Sequence, residues 1–284
     1  MKPDPRFLNQ PRNFWAYVRS VSQHVGYTVR GAGQILIPEL PVVVRALQEI
    51  GLSSAEVLNS DGRPTAMGET LVQYFRYRAD LLNTKVEPLL MTADQAAEAF
   101  QKVLKQTRSA RAVTMNKQKG EKKKPAYLTA MVNMLIEANI AGVSCDYDPR
   151  ELTTFTRREA PLRTLARRFD GAFPSTKNPI AVWEVKEYYH TTTFGSRVAD
   201  GVYETLLDGM ELDELRQAEG VDCKHYLMLD AHYTWWKCGR SYLCRVVDML
   251  HMGYVDEVLF GAEVLERVPV LAREWVALNH DRSL

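Results

Sequence analysis

The chain has 284 residues, of which 46% are hydrophobic and 25% charged, proportions typical of a globular protein. They exclude a largely disordered chain and a collagen-like repeat, and the length allows one large domain or two of ordinary size. The 36 basic and 35 acidic side chains give a formal net charge of +1. This sum argues against a polyanionic partner, but it does not describe how the charges are distributed.

The charges are segregated along the sequence. Residues 101–124 contain nine basic residues and one acidic residue, a net charge of +8, and residues 150–168 contain six arginines and two glutamates, a net charge of +4. Residues 200–222 contain eight acidic residues and one arginine, a net charge of −7. Such asymmetry favours a polyanionic partner for the basic segments. We expect the acidic segment to face solvent or a partner subunit.

The sequence shows no signal for export or membrane insertion. The first ten residues contain two prolines and no apolar stretch, unlike a secretory signal peptide. No run of about 18 apolar residues predicts a membrane-spanning helix. Four scattered cysteines are too few for a disulfide framework. We therefore expect a cytoplasmic protein with no membrane partner and no small-molecule cofactor.

Residues 1–114 are predicted to be mostly helical. In chain order the signals are apolar residues at helical spacing from Phe14 to Val25, Pro41 and Gly51 at the two ends of a helix, Thr65 as a helix cap, and a capping box of Thr92 and Gln95. Such helices could form a winged-helix or other DNA-docking module, or only a helical extension.

Residues 115–284 change in character to strands that alternate with helices. A polar loop over 115–125 precedes a predicted helix at 126–139, and further helices are predicted at 196–217 and 240–252. The β-rich runs are ARRFDGAF, PIAVWEVKEYY, HYLMLDAHY and VDEVLFG. This alternation predicts an α/β domain with a central mixed β-sheet flanked by helices.

Two acidic residues and a lysine stand out in the first two of these runs. Asp170 is expected to end a short strand, and after thirteen intervening residues Glu184 and then Lys186 lie within the next strand. Side chains alternate along a strand, so Glu184 and Lys186 point to the same side, and Asp170 reaches that side if the two strands form a hairpin. Two carboxylates can hold Mg²⁺ and leave positions for water and a phosphate oxygen, while the lysine orients or helps to deprotonate the attacking water. The pattern indicates phosphodiester hydrolysis.

Asp170, Glu184 and Lys186 resemble the motif of the PD-(D/E)xK nuclease superfamily, which includes type II restriction endonucleases. The resemblance covers about residues 125–262, and Phe169 stands where the motif has proline. It implies a restriction-endonuclease-like core in 115–284 and an Mg²⁺-dependent endodeoxyribonuclease that cuts both strands of DNA as a homodimer and leaves 5′-phosphates. In family terms, Glu137 on the preceding helix would be a further catalytic or metal-binding carboxylate.

Basic and polar residues around this motif are candidate DNA contacts. Cations that neutralise phosphates release counterions, and the free N–H groups at the start of a helix favour anions. The candidates are Asn116, Lys117, Lys119, Lys122, Lys123, Lys124, Arg167, Arg168, Ser196 and Arg197.

Other interpretations of these residues stay open. Asp170 could be a turn residue, with Glu184 and Lys186 an exposed ion pair on an edge strand, or the fold could serve binding alone. The same fold also allows an alternative function, a nuclease of DNA repair, recombination or transposition in place of a restriction enzyme. The remaining alternatives are a non-catalytic DNA-binding protein and a protein without a nucleic-acid partner.

Overall fold

A computed structural model describes residues 1–116, 123–190 and 195–282. The fold is mixed α/β with about 53% helix. Its helices are α1 (Pro5–Leu8), α2 (Arg12–Val25), α3 (Leu40–Glu49), α4 (Ala66–Leu81), α5 (Glu87–Leu89), α6 (Ala93–Thr107), α7 (Tyr127–Glu137), α8 (Ser196–Glu219), α9 (Arg240–His251) and α10 (Val264–Arg282). Its strands are β1 (Thr154–Arg157), β2 (Ala160–Thr164), β3 (Gly171–Phe173), β4 (Ala181–Glu187), β5 (Lys224–Asp230) and β6 (Glu257–Phe260). Within these ranges, no helix combines the length and apolar character needed to cross a bilayer.

The helices expected near the N-terminus are present. Pro41 lies in the first turn of α3. Thr65 begins α4 and its side chain accepts a hydrogen bond from the amide of Gly68. Thr92 and Gln95 form the predicted capping box of α6. That these helices dock on DNA stays a prediction.

The central sheet has the strand order β3-β4-β5-β6. β3 is antiparallel to β4, whereas β4, β5 and β6 run parallel to one another. α8 connects β4 to β5, and α9 lies between β5 and β6 along the chain. A mixed sheet flanked by helices is therefore confirmed. β1 and β2 form a separate antiparallel hairpin that the sequence patterns did not predict.

Alternation along β4 separates its packing residues from its charged residues. Trp183 is buried and stacks on Trp275 of α10, with ring centroids 5.3 Å apart and an interplanar angle of 11°. Val185 packs with the same core. Glu184 and Lys186 project from the other face of the sheet, toward α8. The large apolar cluster under Trp183 thus holds β4 rigidly while its opposite face carries charge.

Gly171 leaves room for the Trp183 ring. A Cβ atom at Gly171 would lie 2.0 Å from two ring carbons of Trp183. We therefore expect Gly171→Ala to displace that ring and to lower the free energy of unfolding by about 1–3 kcal/mol, as overpacking does. Urea denaturation measures the loss. Gly195→Ala is the matched control, because its Cβ would meet nothing within 4 Å; equal stability of the two variants would contradict this packing.

Candidate active site

Asp170 and Glu184 lie opposite each other where β3 and β4 diverge. Gly171 pairs with Trp183, so the next pair along the two chains is Asp170 with Glu184. The Asp170 amide donates to the Trp183 carbonyl at 3.1 Å, and the Asp170 carboxylate accepts from the Val185 amide at 2.8 Å. The expectation that Asp170 ends a strand was wrong. It precedes β3, because the strand begins at Gly171.

Lys186 points to the same face of β4 as Glu184. Its Nζ donates to Glu184 Oε2 at 2.5 Å, and the two side chains are only 12% and 1% exposed. β4 has β3 on one side and β5 on the other, so it is a central strand. An exposed ion pair on an edge strand therefore does not describe these residues. The structure brings Asp170, Glu184 and Lys186 together.

The protonation of Lys186 limits what it can do. Burial lowers the pKa of Lys186, but the Glu184 and Asp170 carboxylates more than offset this effect and leave the pKa above its ordinary value. The ammonium therefore persists at neutral pH. In this metal-free arrangement Lys186 can orient a water molecule or stabilise developing negative charge.

Asp170 has an exposed side chain at the mouth of this group. Desolvation by the surrounding protein, with the charge of Glu184, raises the pKa of Asp170 to about 6, although Lys186 acts in the opposite direction. Asp170 is therefore mostly ionised at neutral pH, but a modest change in its surroundings alters its charge. Such perturbed groups are typical of functional sites, though structural ion pairs also produce them.

Two further carboxylates reach the site from α8. Arg167 Nη1 donates to Asp208 Oδ2 at 2.6 Å and to Glu184 Oε1 at 3.1 Å. Arg167 Nη2 donates to Glu204 Oε2 at 3.0 Å, and Lys186 Nζ lies 3.2 Å from the same oxygen. Asp208 is fully buried. Both oxygens of Glu184 are thus engaged by cations, and α8 is tied to β4 through them.

We call these six side chains the carboxylate cluster: Asp170, Glu184, Glu204, Asp208, Arg167 and Lys186. Four carboxylates and two cations leave two negative charges uncompensated when all six are ionised. Desolvation raises the pKa of Asp208 to about 7, even though Arg167 opposes the shift. Asp208 Oδ1 is also buried without a hydrogen-bond partner among the described residues. The cluster therefore has an excess of negative charge that a divalent cation would balance.

Few of the described side chains are placed to act as ligands of such a cation. Across residues 1–116, 123–190 and 195–282, no three His, Cys, Asp or Glu side chains are placed to hold a metal ion together. Asp170 and Glu184 fit a site in which two carboxylates bind Mg²⁺ and water completes the coordination. Each Glu184 oxygen accepts a hydrogen bond from one cation, and each has a second lone pair that could bind a metal. In the metal-free arrangement the two cations neutralise only part of the carboxylate charge.

The acidic segment 200–222 pairs in part with the arginine-rich segment 150–168, so the expectation that it faces solvent or a partner subunit holds only for part of it, such as the exposed Asp200 and Glu214. The ion pairs between them are Arg157 with Glu219, Arg163 with Glu214, and Arg167 with Glu204 and Asp208. Arg167, predicted to contact DNA, is 24% exposed, and its guanidinium forms ion pairs with three carboxylates of the same chain. The basic segment 150–168 and the acidic segment 200–222 attract each other within one chain. The net charge of each segment, taken by itself, does not predict this pairing.

Glu137 does not join the carboxylate cluster, which corrects its predicted catalytic role. Glu187, at the end of β4, accepts hydrogen bonds from the amides of Leu128 and Thr129 at the start of α7. Glu137 is at the other end of that helix, about 15 Å away along its axis. There it accepts a hydrogen bond from Ser109. The acidic residue lies on the expected helix, but at the wrong end.

The other candidate DNA contacts lie on three separate segments of the chain. Ser196 and Arg197 are exposed at the start of α8, whose preceding residue provides no side-chain cap. Arg168 is exposed beside Asp170. Asn116, Lys123 and Lys124 are within the described chain, and the amide of Asn116 donates to the carbonyl of Lys124. Lys117, Lys119 and Lys122 lie outside the described residues.

Glu204 and Asp208 were not identified from the sequence as site residues. Their spacing of four places both on one face of a helix, and Gly201 lies one turn earlier. A Cβ at Gly201 would be 3.2 Å from Lys186 Cδ, so the glycine permits close approach of α8 to β4. A glycine followed by two acidic residues at helical spacing was the sequence signal that could have identified this face of α8.

Comparisons with known sequences match two families. Residues 91–275 match the family described as Domain of unknown function (DUF7687), and residues 1–85 match Domain of unknown function (DUF7690). No curated protein and no solved structure gives a significant match. The two matched regions adjoin between residues 85 and 91, whereas the sequence patterns suggested a boundary at 114/115, which stays a prediction.

Proposed function

The chain belongs to the DUF7687 family, whose description assigns no activity, and from its own site we propose that it is an Mg²⁺-dependent endodeoxyribonuclease. The substrate is double-stranded DNA, and the reaction is hydrolysis of a phosphodiester bond. One observation carries the proposal: Asp170, Glu184 and Lys186 converge at the divergence of β3 and β4, with Glu184 and Lys186 in direct contact. The resemblance to the PD-(D/E)xK motif adds to it.

Each residue has a role that follows from its surroundings. Asp170 and Glu184 would bind Mg²⁺, which polarises the phosphate and lowers the pKa of a bound water. Lys186, beside Glu184, would orient the attacking water and stabilise the negative charge that develops on phosphorus-bound oxygens. Arg167 holds Glu184 in place by an ion pair at 3.1 Å.

The charge balance of the carboxylate cluster supports a divalent cation. Desolvation, with a smaller contribution from the charge of Glu184, raises the pKa of Asp170 to about 6 and that of Asp208 to about 7. A cation held by Asp170 and Glu184 would lower both pKa values and release protons on binding. The basic residues near Asp170 and at the start of α8 would hold the phosphate backbone.

The finer assignment within this proposal is a sequence-specific type II restriction endonuclease. One site per chain cuts one strand, so cutting of both strands requires two copies, and a two-fold dimer matches a symmetric DNA site. A nuclease of DNA repair, recombination or transposition would use the same residues. Discrete fragments with a common end sequence distinguish the restriction enzyme from a nuclease that depends on DNA structure.

The experiment is cleavage of supercoiled plasmid in Mg²⁺ and in EDTA. We expect cutting only with Mg²⁺, and we expect Asp170→Asn and Lys186→Met to reduce its rate by about 10²–10³-fold or more, because each removes stabilisation of the reacting phosphate. Lys224→Met is the matched control: Lys224 lies on β5 in ion pairs with Asp222 and Asp256, away from the cluster.

Three results would contradict the proposal. Cutting that persists in EDTA would exclude the metal. Cutting by the Asp170 and Lys186 variants at the rate of the unmodified chain would exclude the site. A metal-independent shift of DNA without cleavage would identify a non-catalytic DNA-binding protein. Circular dichroism of each variant verifies that a lost rate does not reflect a lost fold.

A further inference from the structure

A cavity of about 420 Å³ lies between α2, α8 and α9, away from the carboxylate cluster. Val202 and Leu206 of α8 line it, while Glu204 and Asp208 of the same helix point to the cluster from a different face. Cavities of roughly 300–1,000 Å³ are typical of sites for small molecules. The cavity is therefore large enough for a ligand of that class.

Two arginines line this cavity without carboxylate partners. Arg19 comes from α2 and Arg245 from α9, and neither forms an ion pair within the part of the chain that the structure describes. The Arg245 guanidinium lies over the Tyr27 ring, 4.2 Å from its centroid, and Arg19 reaches the sulfur of Met252. Arg245 also donates to the Ser241 carbonyl at 2.9 Å, and Arg19 is an exposed residue. Neither cation has a carboxylate partner among the described residues.

The one acidic residue that lines the cavity is already neutralised. Asp248 accepts hydrogen bonds from Arg78 at 2.9 and 3.0 Å and from the Tyr74 hydroxyl at 2.6 Å. Its charge therefore does not cancel those of Arg19 and Arg245. The cavity presents a net positive charge to whatever enters it.

The rest of the cavity wall is mostly apolar. Val202, Leu206 and Met249 supply aliphatic surface, and Tyr27 supplies an aromatic ring. Burial is the largest cause of the raised pKa of Tyr27, about 12, so its hydroxyl keeps its proton at neutral pH. A ligand that fits this wall combines an anionic group with an apolar body.

We propose that this cavity binds a small organic anion, with its phosphate or carboxylate group on Arg19 and Arg245 and its apolar body against Val202, Leu206 and Met249. Guanidinium groups bind both kinds of anion through charge-assisted, often bidentate hydrogen bonds. The apolar body distinguishes this ligand from inorganic phosphate, which would leave most of the cavity unfilled. This inference does not depend on the proposed nuclease activity.

Isothermal titration calorimetry of the full chain tests the proposal with three probes: adenosine 5′-monophosphate, decanoate and inorganic phosphate. We expect at least one of the organic probes to bind at least about tenfold more tightly than inorganic phosphate, and the better of the two identifies the source of the anion. Arg19→Gln and Arg245→Gln should each weaken that binding by about tenfold or more. Leu206→Trp should abolish it by filling the cavity.

Two control variants separate this site from other anion-binding surfaces. Arg12→Gln removes the same charge from an exposed position of α2 and should leave binding unchanged. Asp170→Asn alters the carboxylate cluster and should also bind as the unmodified chain does. Failure of both organic probes to bind, or unchanged binding in the Arg19, Arg245 and Leu206 variants, would overturn the proposal.

Discussion

Replacement of Arg167 by methionine is expected to lower the free energy of unfolding by about 3–5 kcal/mol at pH 8, because it leaves the buried Asp208 without a cation and removes one of the two cations on Glu184. Glu184 and Asp208 are 1% and 0% exposed, and Arg167 lies within 3.1 Å of both. Arg163→Met is the matched control. Arg163 pairs with Glu214, which is 64% exposed, and exposed pairs contribute about 0–1 kcal/mol.

The same variant should show a distinct pH dependence. The pKa of Asp208 is about 7 in the folded protein and about 3.8 ordinarily, so the folded state binds the extra proton and stability falls as pH rises through this window. Without Arg167 the pKa rises further, and protonation at pH 5 relieves part of the loss. Urea denaturation at pH 5 and pH 8 measures both effects. A loss that is equal at the two pH values, or no larger than that of Arg163→Met, would contradict the role assigned to Arg167.

This prediction rests on contacts that the sequence did not reveal. The strands of the central sheet, the helix caps and the side-by-side placement of Glu184 and Lys186 follow from local rules, since alternation and capping depend on near neighbours. The inward face of α8 does not, because which side of a charged helix meets the sheet is decided by tertiary packing. Arg167 was therefore interpreted as a DNA contact when its partners were Glu204 and Asp208.

Two other differences between the sequence predictions and the structure have similarly specific causes. The β1–β2 hairpin turns at Arg158 and Glu159, both with positive φ, and lacks the glycine or asparagine that usually marks such turns. Glu137 was placed on the correct helix, but the end of α7 that meets the sheet is set by Glu187 and its hydrogen bonds. The hairpin thus lacked a recognisable turn signal, and helix α7 lacked a local signal for which of its ends meets the sheet.

The second large effect is expected at the buried ion pair that joins α4 to α9. Arg78 Nη1 lies 2.9 and 3.0 Å from the two oxygens of Asp248, and both side chains are at most 4% exposed. The pair links a helix of residues 1–85 to a helix of residues 91–275. Burial alone would lower the pKa of Arg78, but Asp248 more than offsets this, so the guanidinium stays charged.

We expect Arg78→Met to lower the free energy of unfolding by about 3–5 kcal/mol, because Asp248 would then be a buried charge without a cation. Arg76→Met is the control, since Arg76 lies two residues away on α4 and its partner Glu39 is 51% exposed; it should cost at most about 1 kcal/mol. Adding Asp248→Asn to Arg78→Met should recover part of the loss, because asparagine is neutral and still accepts from Tyr74. If the double variant is no more stable than Arg78→Met, the cost arises from lost packing around the arginine and not from the stranded charge.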